Sequence, residues 1–234
     1  MDLNNAKALV TGGSSGIGME TARQLVNAGS KVTICARHED QLKEAADEVG
    51  AVAVAGDVSK EDDVERIVKT TIDELGGYNV LINNAGYGMF AKLTDLDAQD
   101  FRDLLNVNTV GAMMVARESA KYFIDQDYGN IINISSSAGK KGFEGGTAYC
   151  ASKFALGGMT ESWRSELRPH NIRVMQVNPS EVQTRFNVNA GGEKRPFNET
   201  KLIAEDIAQT ILSMLKLHNR GFITETSVWA TNPR

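Results

Sequence analysis

Cysteine, histidine and proline are all scarce in this chain, at two, three and four residues among 234. Cys35 and Cys150 are too few for a disulfide scaffold. They have neither C-x-x-C nor metal-ligand spacing, so they read as small fillers in a reducing compartment, with the cytoplasm as the expected location. His38, His170 and His218 stand far apart without a motif, which gives no reason to expect a metal site. A basic excess is also missing: the net charge is -5 and the pI near 5.3, which argues against nucleic acid or an anionic membrane surface as the main partner. No apolar run approaches the ~18 residues needed to span a bilayer. Residues 1–10 show no basic flank followed by an apolar block, so neither a membrane span nor a secretory leader is expected.

What is present is a regular alternation of short apolar runs and helical stripes. Lys7-Ala8-Leu9-Val10 ends at Thr11 and leads into Gly12-Gly13-Ser14-Ser15-Gly16-Ile17-Gly18, after which Met19, Ala22, Leu25 and Val26 recur at helical spacing up to Gly29. Further strands are expected over 31–35, 51–55, 79–82, 130–134, 173–177 and 221–228. The intervening helices carry Val64, Ile67, Val68, Ile72 and Leu75, then a long stretch over 97–126, then a stretch ending near Pro169, and finally Leu202, Ile203, Ile207, Ile211, Leu212 and Leu215. Such alternation predicts a parallel sheet with helices on both faces. No linker, repeat or low-complexity tract divides the chain, so one domain is expected over 1–234. Residues 185–200 are polar, contain Gly191-Gly192 and Pro196, and read as a mobile flap over a site.

Two local patterns carry chemistry. Glycines between a strand and a helix let the backbone come close to a pyrophosphate, and the helix offers its unpaired N–H groups to the phosphates. The position where a dinucleotide fold places an acid for the adenosine ribose is occupied by Ala36, with Arg37 next, which favours a 2′-phosphate and hence NADP(H) over NAD(H). Ser14 is a candidate supplement to Arg37. The second pattern is Tyr149-x-x-x-Lys153, which on a helix stacks an ammonium beside a phenol. A free tyrosine titrates at about 10. A nearby cation is expected to lower that value and make the hydroxyl an acid for a carbonyl oxygen or a base for an alcohol.

Taken in order, Thr11-Gly12-x-x-x-Gly16-x-Gly18, Asp57-Val58, Asn83-Asn84-Ala85-Gly86, Asn108, Asn133-Ile134-Ser135-Ser136, Tyr149-x-x-x-Lys153 and Asn178-Pro179 resemble the short-chain dehydrogenase/reductase family over nearly the whole chain. The resemblance implies an α/β, single-domain, Rossmann-like doubly wound parallel sheet of about seven strands. It implies Ser136, Tyr149, Lys153 and Asn108 as the catalytic set, with Ser135 and Ser137 as alternatives to Ser136 and with Asn108 holding a water of the proton chain. For the cofactor it implies Gly12, Ser14, Ser15, Gly16, Ile17 and Gly18 at the pyrophosphate, Arg37 at the 2′-phosphate, and Asp57 and Val58 at the adenine. Asn83, Asn84, Ala85 and Gly86 are expected beside the cofactor, Pro179, Val182 and Thr184 at the nicotinamide end, and Lys153 on the nicotinamide ribose. Ser180 departs from the glycine that the family most often carries after Asn-Pro, which leaves the local chain path open.

The implied activity is NADP(H)-dependent reduction of a ketone to a secondary alcohol, with a 3-oxoacyl thioester as the expected substrate, free or bound to an acyl carrier protein. The ending Thr226-Ser227-Val228-Trp229-Ala230-Thr231-Asn232-Pro233 resembles bacterial 3-oxoacyl-acyl-carrier-protein reductases, and Lys140 and Lys141 are candidates for a basic rim facing an acidic carrier. A general reductase of small ketones or diketones is the alternative. A non-catalytic dinucleotide sensor ranks below both because Ser136, Tyr149 and Lys153 are all present. A nucleotide-sugar epimerase shares the Tyr-Lys pair, but too little chain follows Pro179 for a substrate domain. Relatives pair through the helices corresponding to 97–126 and 149–168, so a homodimer or homotetramer is expected.

Overall fold

In the computed structural model, which describes residues 1–193 and 196–232, seven parallel strands form one sheet. They are β1 (Lys7–Thr11), β2 (Lys31–Ala36), β3 (Val52–Ala55), β4 (Val80–Asn83), β5 (Gly129–Ile134), β6 (Ile172–Pro179) and β7 (Glu225–Val228), in the spatial order β3-β2-β1-β4-β5-β6-β7. Strand side chains alternate between two cores, as a period of two requires when both faces are covered. Ala8, Val10, Ile34, Ile82, Ile132 and Val177 face one side, and Leu9, Cys35, Leu81, Ile131 and Val174 face the other.

Helices α1 (Gly16–Asn27), α2 (Glu39–Val49) and α8 (Ala204–Lys216) cover the first face, contributing Ala22, Leu25, Leu42, Ile207 and Ile211 to its core. Helices α3 (Glu61–Leu75), α4 (Ala98–Leu105), α5 (Ala112–Asp125) and α6 (Thr147–Leu167) lie on the second. Helix ends follow their local chemistry. Glu39 and Asp40 open α2, and Glu61, Asp62 and Asp63 open α3, where carboxylates meet the positive end of the dipole; Gly50 and Gly76 close these helices in the left-handed conformation. Among the described residues no helix is long and apolar enough to cross a membrane.

The sheet reverses its winding between β1 and β4; Val10 of β1 stands opposite Ile34 of β2 on one side and Ile82 of β4 on the other. In open α/β sheets ligands bind beyond the strand C-termini at such a point. Two expectations about elements change. The stretch over 97–126 is one helical rod interrupted by a π-helical turn, Asn106–Gly111, between α4 and α5. The last strand begins at Glu225 rather than at 221, because residues 221–224 run without ladder pairing until Glu225 meets Gln176. Ser180 does not divert the chain: its N–H donates to Val228 O at 2.9 Å, which continues the β6 path along β7.

Candidate active site

Across the C-terminal ends of β1, β2, β4, β5 and β6 runs a cleft of about 1210 Å³. Its floor is the turn between β1 and α1. Gly12 and Gly16 have φ of 64° and 55°, a region that favours glycine, and a Cβ on Gly18 would lie 2.3 Å from the carbonyl oxygen of Gly12. The turn is pinned to β4 by Thr11, whose hydroxyl accepts from the N–H groups of Asn84 and Ala85 at 2.9 Å each. Asn84 returns the contact, donating to Thr11 O at 2.9 Å and Gly12 O at 3.2 Å. Ser15 starts α1 without capping it through its side chain, so the first amides of the helix face the cleft unmet by a protein side chain. This cradle, which a Cβ would fill, fits a pyrophosphate.

Gly12, Ser14, Ser15, Gly16, Ile17, Arg37, Asp57, Val58, Asn84, Ala85, Gly86, Pro179, Val182 and Thr184, all expected from the sequence to contact a cofactor, line this one cleft. Gly18 does not; it acts beneath the floor by allowing the turn to close. Asn83 also stands back from it, buried and donating to Ala112 O at 2.8 Å and Asn133 Oδ1 at 3.2 Å, so it ties β4 to the α5 side instead of meeting a ligand. Asp57 holds Ser59 through the backbone N–H at 3.0 Å and the hydroxyl at 2.8 Å, shaping the wall after β3. Arg37 is exposed on the rim, with His38 and Gln41 beside it.

At the other end of the cleft α6 brings Tyr149 and Lys153 to the end of β5. Ser136 faces the phenol of Tyr149, where it favours the ionised form, and its Oγ accepts from Ala138 N at 3.1 Å, which orients it at the head of a 3-10 turn. Of the three consecutive serines, Ser135 is committed elsewhere: it is buried, and its hydroxyl donates to Lys153 O at 3.3 Å. Ser137 lines the cleft without an equivalent link to the phenol. Lys153 is buried, donates to Ile134 O at 2.9 Å, and lies 5.8 Å from the centre of the Tyr149 ring.

The expected depression of the Tyr149 pKa is not observed. Burial pushes the phenol up to about 12, against the opposing influence of the neighbouring Ser136 hydroxyl. Burial likewise pushes Lys153 down to about 8. The ammonium is directed at a backbone carbonyl, and the phenol ring is enclosed by Phe90 and Phe186, so loss of water outweighs the neighbouring cation. The phenol is therefore held protonated, the form needed to donate.

Asn108 does not line the cleft. Buried in the π-helical turn, it accepts from Tyr87 N at 3.0 Å and donates to Tyr87 O at 2.9 Å and Ser152 Oγ at 3.2 Å. It clamps the loop after β4 to α6 through both amide hydrogens, while Oδ1 keeps a second acceptor site. From the stretch over 185–200, Arg185 and Phe186 line the cleft: α7 (Phe186–Asn189) packs Phe186 on Tyr149, and Gln183 donates to Asn198 O and accepts from Asn198 N, both at 2.7 Å. Residues 194 and 195 of the flap, and Pro233, lie outside the described residues. Lys140, a candidate for the basic rim, is paired with Glu225 and lies along a separate hollow beside Phe154.

Sequence reading missed the clamp made by Thr11, the rim residues His38 and Gln41, and the rings of Phe90, Phe143 and Phe186. Single phenylalanines in loops carry no periodicity, and only tertiary structure brings these three together.

The family model described as short chain dehydrogenase matches residues 6–195. An NADP-dependent 3-hydroxy acid dehydrogenase of Schizosaccharomyces pombe is 32% identical over 98% of this chain and 94% of its own. A 3-ketodihydrosphingosine reductase of Bos taurus is 33% identical over 87% of this chain, which spans 64% of that protein's length. A metagenomic short-chain oxidoreductase, solved in complex with NADP, is 31% identical, with a TM-score of 0.85 over 99% of this chain and all of the other. With a glycine-floored cleft ending at a serine-tyrosine-lysine cluster and a family match over most of its length, the chain belongs to the short chain dehydrogenase family.

Proposed function

We propose that the protein is an NADP(H)-dependent oxidoreductase that interconverts a ketone and a secondary alcohol, the ketone lying at the 3-position of an acyl chain, as in a 3-oxoacyl thioester. The observation that carries this reading is a buried, protonated Tyr149 in one cleft with Ser136 and with Lys153, whose Nζ lies 5.8 Å from its ring centre. Two of the relatives, a 3-hydroxy acid dehydrogenase and a 3-ketodihydrosphingosine reductase, are named for chemistry at a 3-position, which supports the acyl placement. The cofactor is NADP(H): Ala36 offers no acid to a ribose diol and Arg37 stands on the rim of the cleft. With Lys140 engaged by Glu225, recognition of an acidic carrier protein has less support than recognition of the acyl group itself.

When bound, the cofactor supplies or accepts the hydride. Gly12, Gly16 and the first amides of α1 bind its phosphates, and Arg37 its 2′-phosphate. Ser136 Oγ donates to the substrate carbonyl oxygen, where negative charge develops during reduction. Tyr149 gives its proton to the same oxygen. Lys153 provides positive charge beneath the phenol, favouring departure of that proton, and is held in place by donating to Ile134 O. In the oxidising direction the proton returns to Tyr149. Assembly with a second copy rests on the α4 to α5 rod and α6, which leave Val110, Ile124 and Phe154 exposed.

The test is Tyr149→Phe, assayed by NADPH oxidation with an acetoacetyl thioester and with simple ketones. Turnover is expected to fall by a factor of roughly 10³ or more, while the NADPH dissociation constant stays within about threefold. Retention of most of the rate would reject the assignment. Tight NADPH binding without turnover of any carbonyl in the wild type would favour a dinucleotide sensor.

A further inference from the structure

Beyond the serine-tyrosine-lysine cluster, the mouth of the cleft is walled by three phenylalanines from three separate segments. Phe90 follows β4, Phe143 precedes α6, and Phe186 begins α7. The Phe90 ring meets Tyr149 edge-on, with centroids 5.8 Å apart, and Phe186 meets it tilted at 5.4 Å. Phe143 stands 5.9 Å from Phe90. Yet Phe90 is 42% exposed and Phe143 51% exposed, so large apolar faces remain open to the cleft beside the reacting hydroxyl. Contiguous exposed apolar surface of this kind in a concave site marks a place for an apolar ligand group.

The wall is built into the backbone. Ala91 N donates to Gly145 O at 3.0 Å, and Ala91 pairs with Gly146 in a parallel bridge, which joins the segments that carry Phe90 and Phe143. Phe186 rests on bare backbone: a Cβ on Gly88 would lie 2.7 Å from its ring. Phe143 lies over Gly146 in the same way, at 2.8 Å. Among the charged residues lining this end, Glu181 is paired with Lys201 at 2.8 Å, while Arg185 is exposed at the start of the flap.

We propose that the larger substituent of the substrate carbonyl is an apolar chain or aryl ring lying against Phe90, Phe143 and Phe186, and that these three residues set the enzyme's preference for substrate size. The proposal rests on the ketone reductase reading and names which ketones the site selects. A carbonyl held by Ser136 and Tyr149 has these rings as its neighbours, and each methylene added to its substituent removes more apolar surface from water. The expected gain is roughly three- to fourfold in kcat/KM per methylene until the wall is filled.

The experiment measures kcat and KM with NADPH for butan-2-one through nonan-2-one, for acetophenone, and for acetoacetate as the charged member. The expected result is a rise of about threefold per methylene over at least three steps, carried mainly by KM, with acetophenone near the top. Phe90→Ala and Phe143→Ala, both at exposed positions, should each cut the slope at least by half while NADPH affinity stays within twofold. A flat series would overturn the proposal, as would a tenfold preference for acetoacetate that disappears in Arg185→Ala. To separate this proposal from the redox reading, the matching secondary alcohols are titrated calorimetrically into NADP⁺-loaded Tyr149→Phe protein. Tighter binding with chain length but no turnover in the wild type upholds the wall and sinks the reductase reading; turnover with no trend in binding sinks the wall alone.

Discussion

Lys153 is held in the core at an energetic penalty, and that penalty depends on pH. Its folded pKa of about 8 lies below its ordinary 10.5 because burial disfavours the ammonium. Below about pH 8 both folded and unfolded chains carry the charge, and the fold bears the full penalty of burying it, of order 3 kcal/mol. As pH rises from about 8 towards 10.5 the folded lysine is neutral while the unfolded one is still protonated, so the penalty fades. Lys153→Met removes the charge at every pH. The stability of the variant minus that of wild type, from urea unfolding, should therefore be most favourable to the variant near pH 7 and shift towards wild type between about pH 8 and 10. A difference that stays constant over that range would mean that Lys153 is not buried as described. The variant also leaves Ile134 O without its donor, which moves the absolute difference but not its pH dependence.

Elements contribute through where they can and cannot accept a side chain. Gly18 in α1 and Gly158 in α6 are both helical glycines, and their surroundings give opposite expectations. At Gly18 an added methyl would meet Gly12 O at 2.3 Å and Asn84 Nδ2 at 2.6 Å, so the phosphate turn must open. At Gly158 nothing lies within 4 Å. Gly158→Ala should stabilise the protein by about 1 kcal/mol through helix propensity, a rise in Tm of roughly 2–4 °C for a chain of this size. Gly18→Ala should lower Tm and weaken NADPH binding at least tenfold. Thermal melts and fluorescence titration of both variants check this, and equal effects at the two positions would contradict the packing of the turn. The π-helical turn between α4 and α5 works in a related way: its extra residue rotates Asn108 inward to grip Tyr87, and Gly111 sits so close to Val58 that a Cβ would lie 2.9 Å from Val58 O.

At the scale of the molecule, the cleft exists only when β1, β2, β4, β5 and β6 are assembled, so its ligand binds the folded state and not the unfolded chain. A dinucleotide at one hundred times its dissociation constant should then add about 2.7 kcal/mol to folding, roughly 5–10 °C in Tm. NADPH should raise Tm more than NADH at equal concentration, and Arg37→Ser should remove most of that difference. Identical shifts for the two cofactors in the wild type would reject Arg37 as the contact for the 2′-phosphate.

The order of strands and helices, the glycine turn, the Tyr149 and Lys153 pair and the Arg37 rim were legible along the chain because each is a local pattern. Periodicity reports which face of an element is apolar, and short motifs report which backbone geometry or which side-chain neighbour at i+4 is available. What the tertiary structure alone decided depends on distance through space. It committed Ser135 to the Lys153 carbonyl, tied Asn83 and Asn108 to neighbouring elements, paired Lys140 with Glu225, and brought Phe90 and Phe186 onto one phenol with Phe143 behind Phe90. It also reversed the direction of the Tyr149 shift. Spacing reveals a neighbouring charge, whereas the water lost from a group is the sum of everything packed against it, and no local pattern contains that sum.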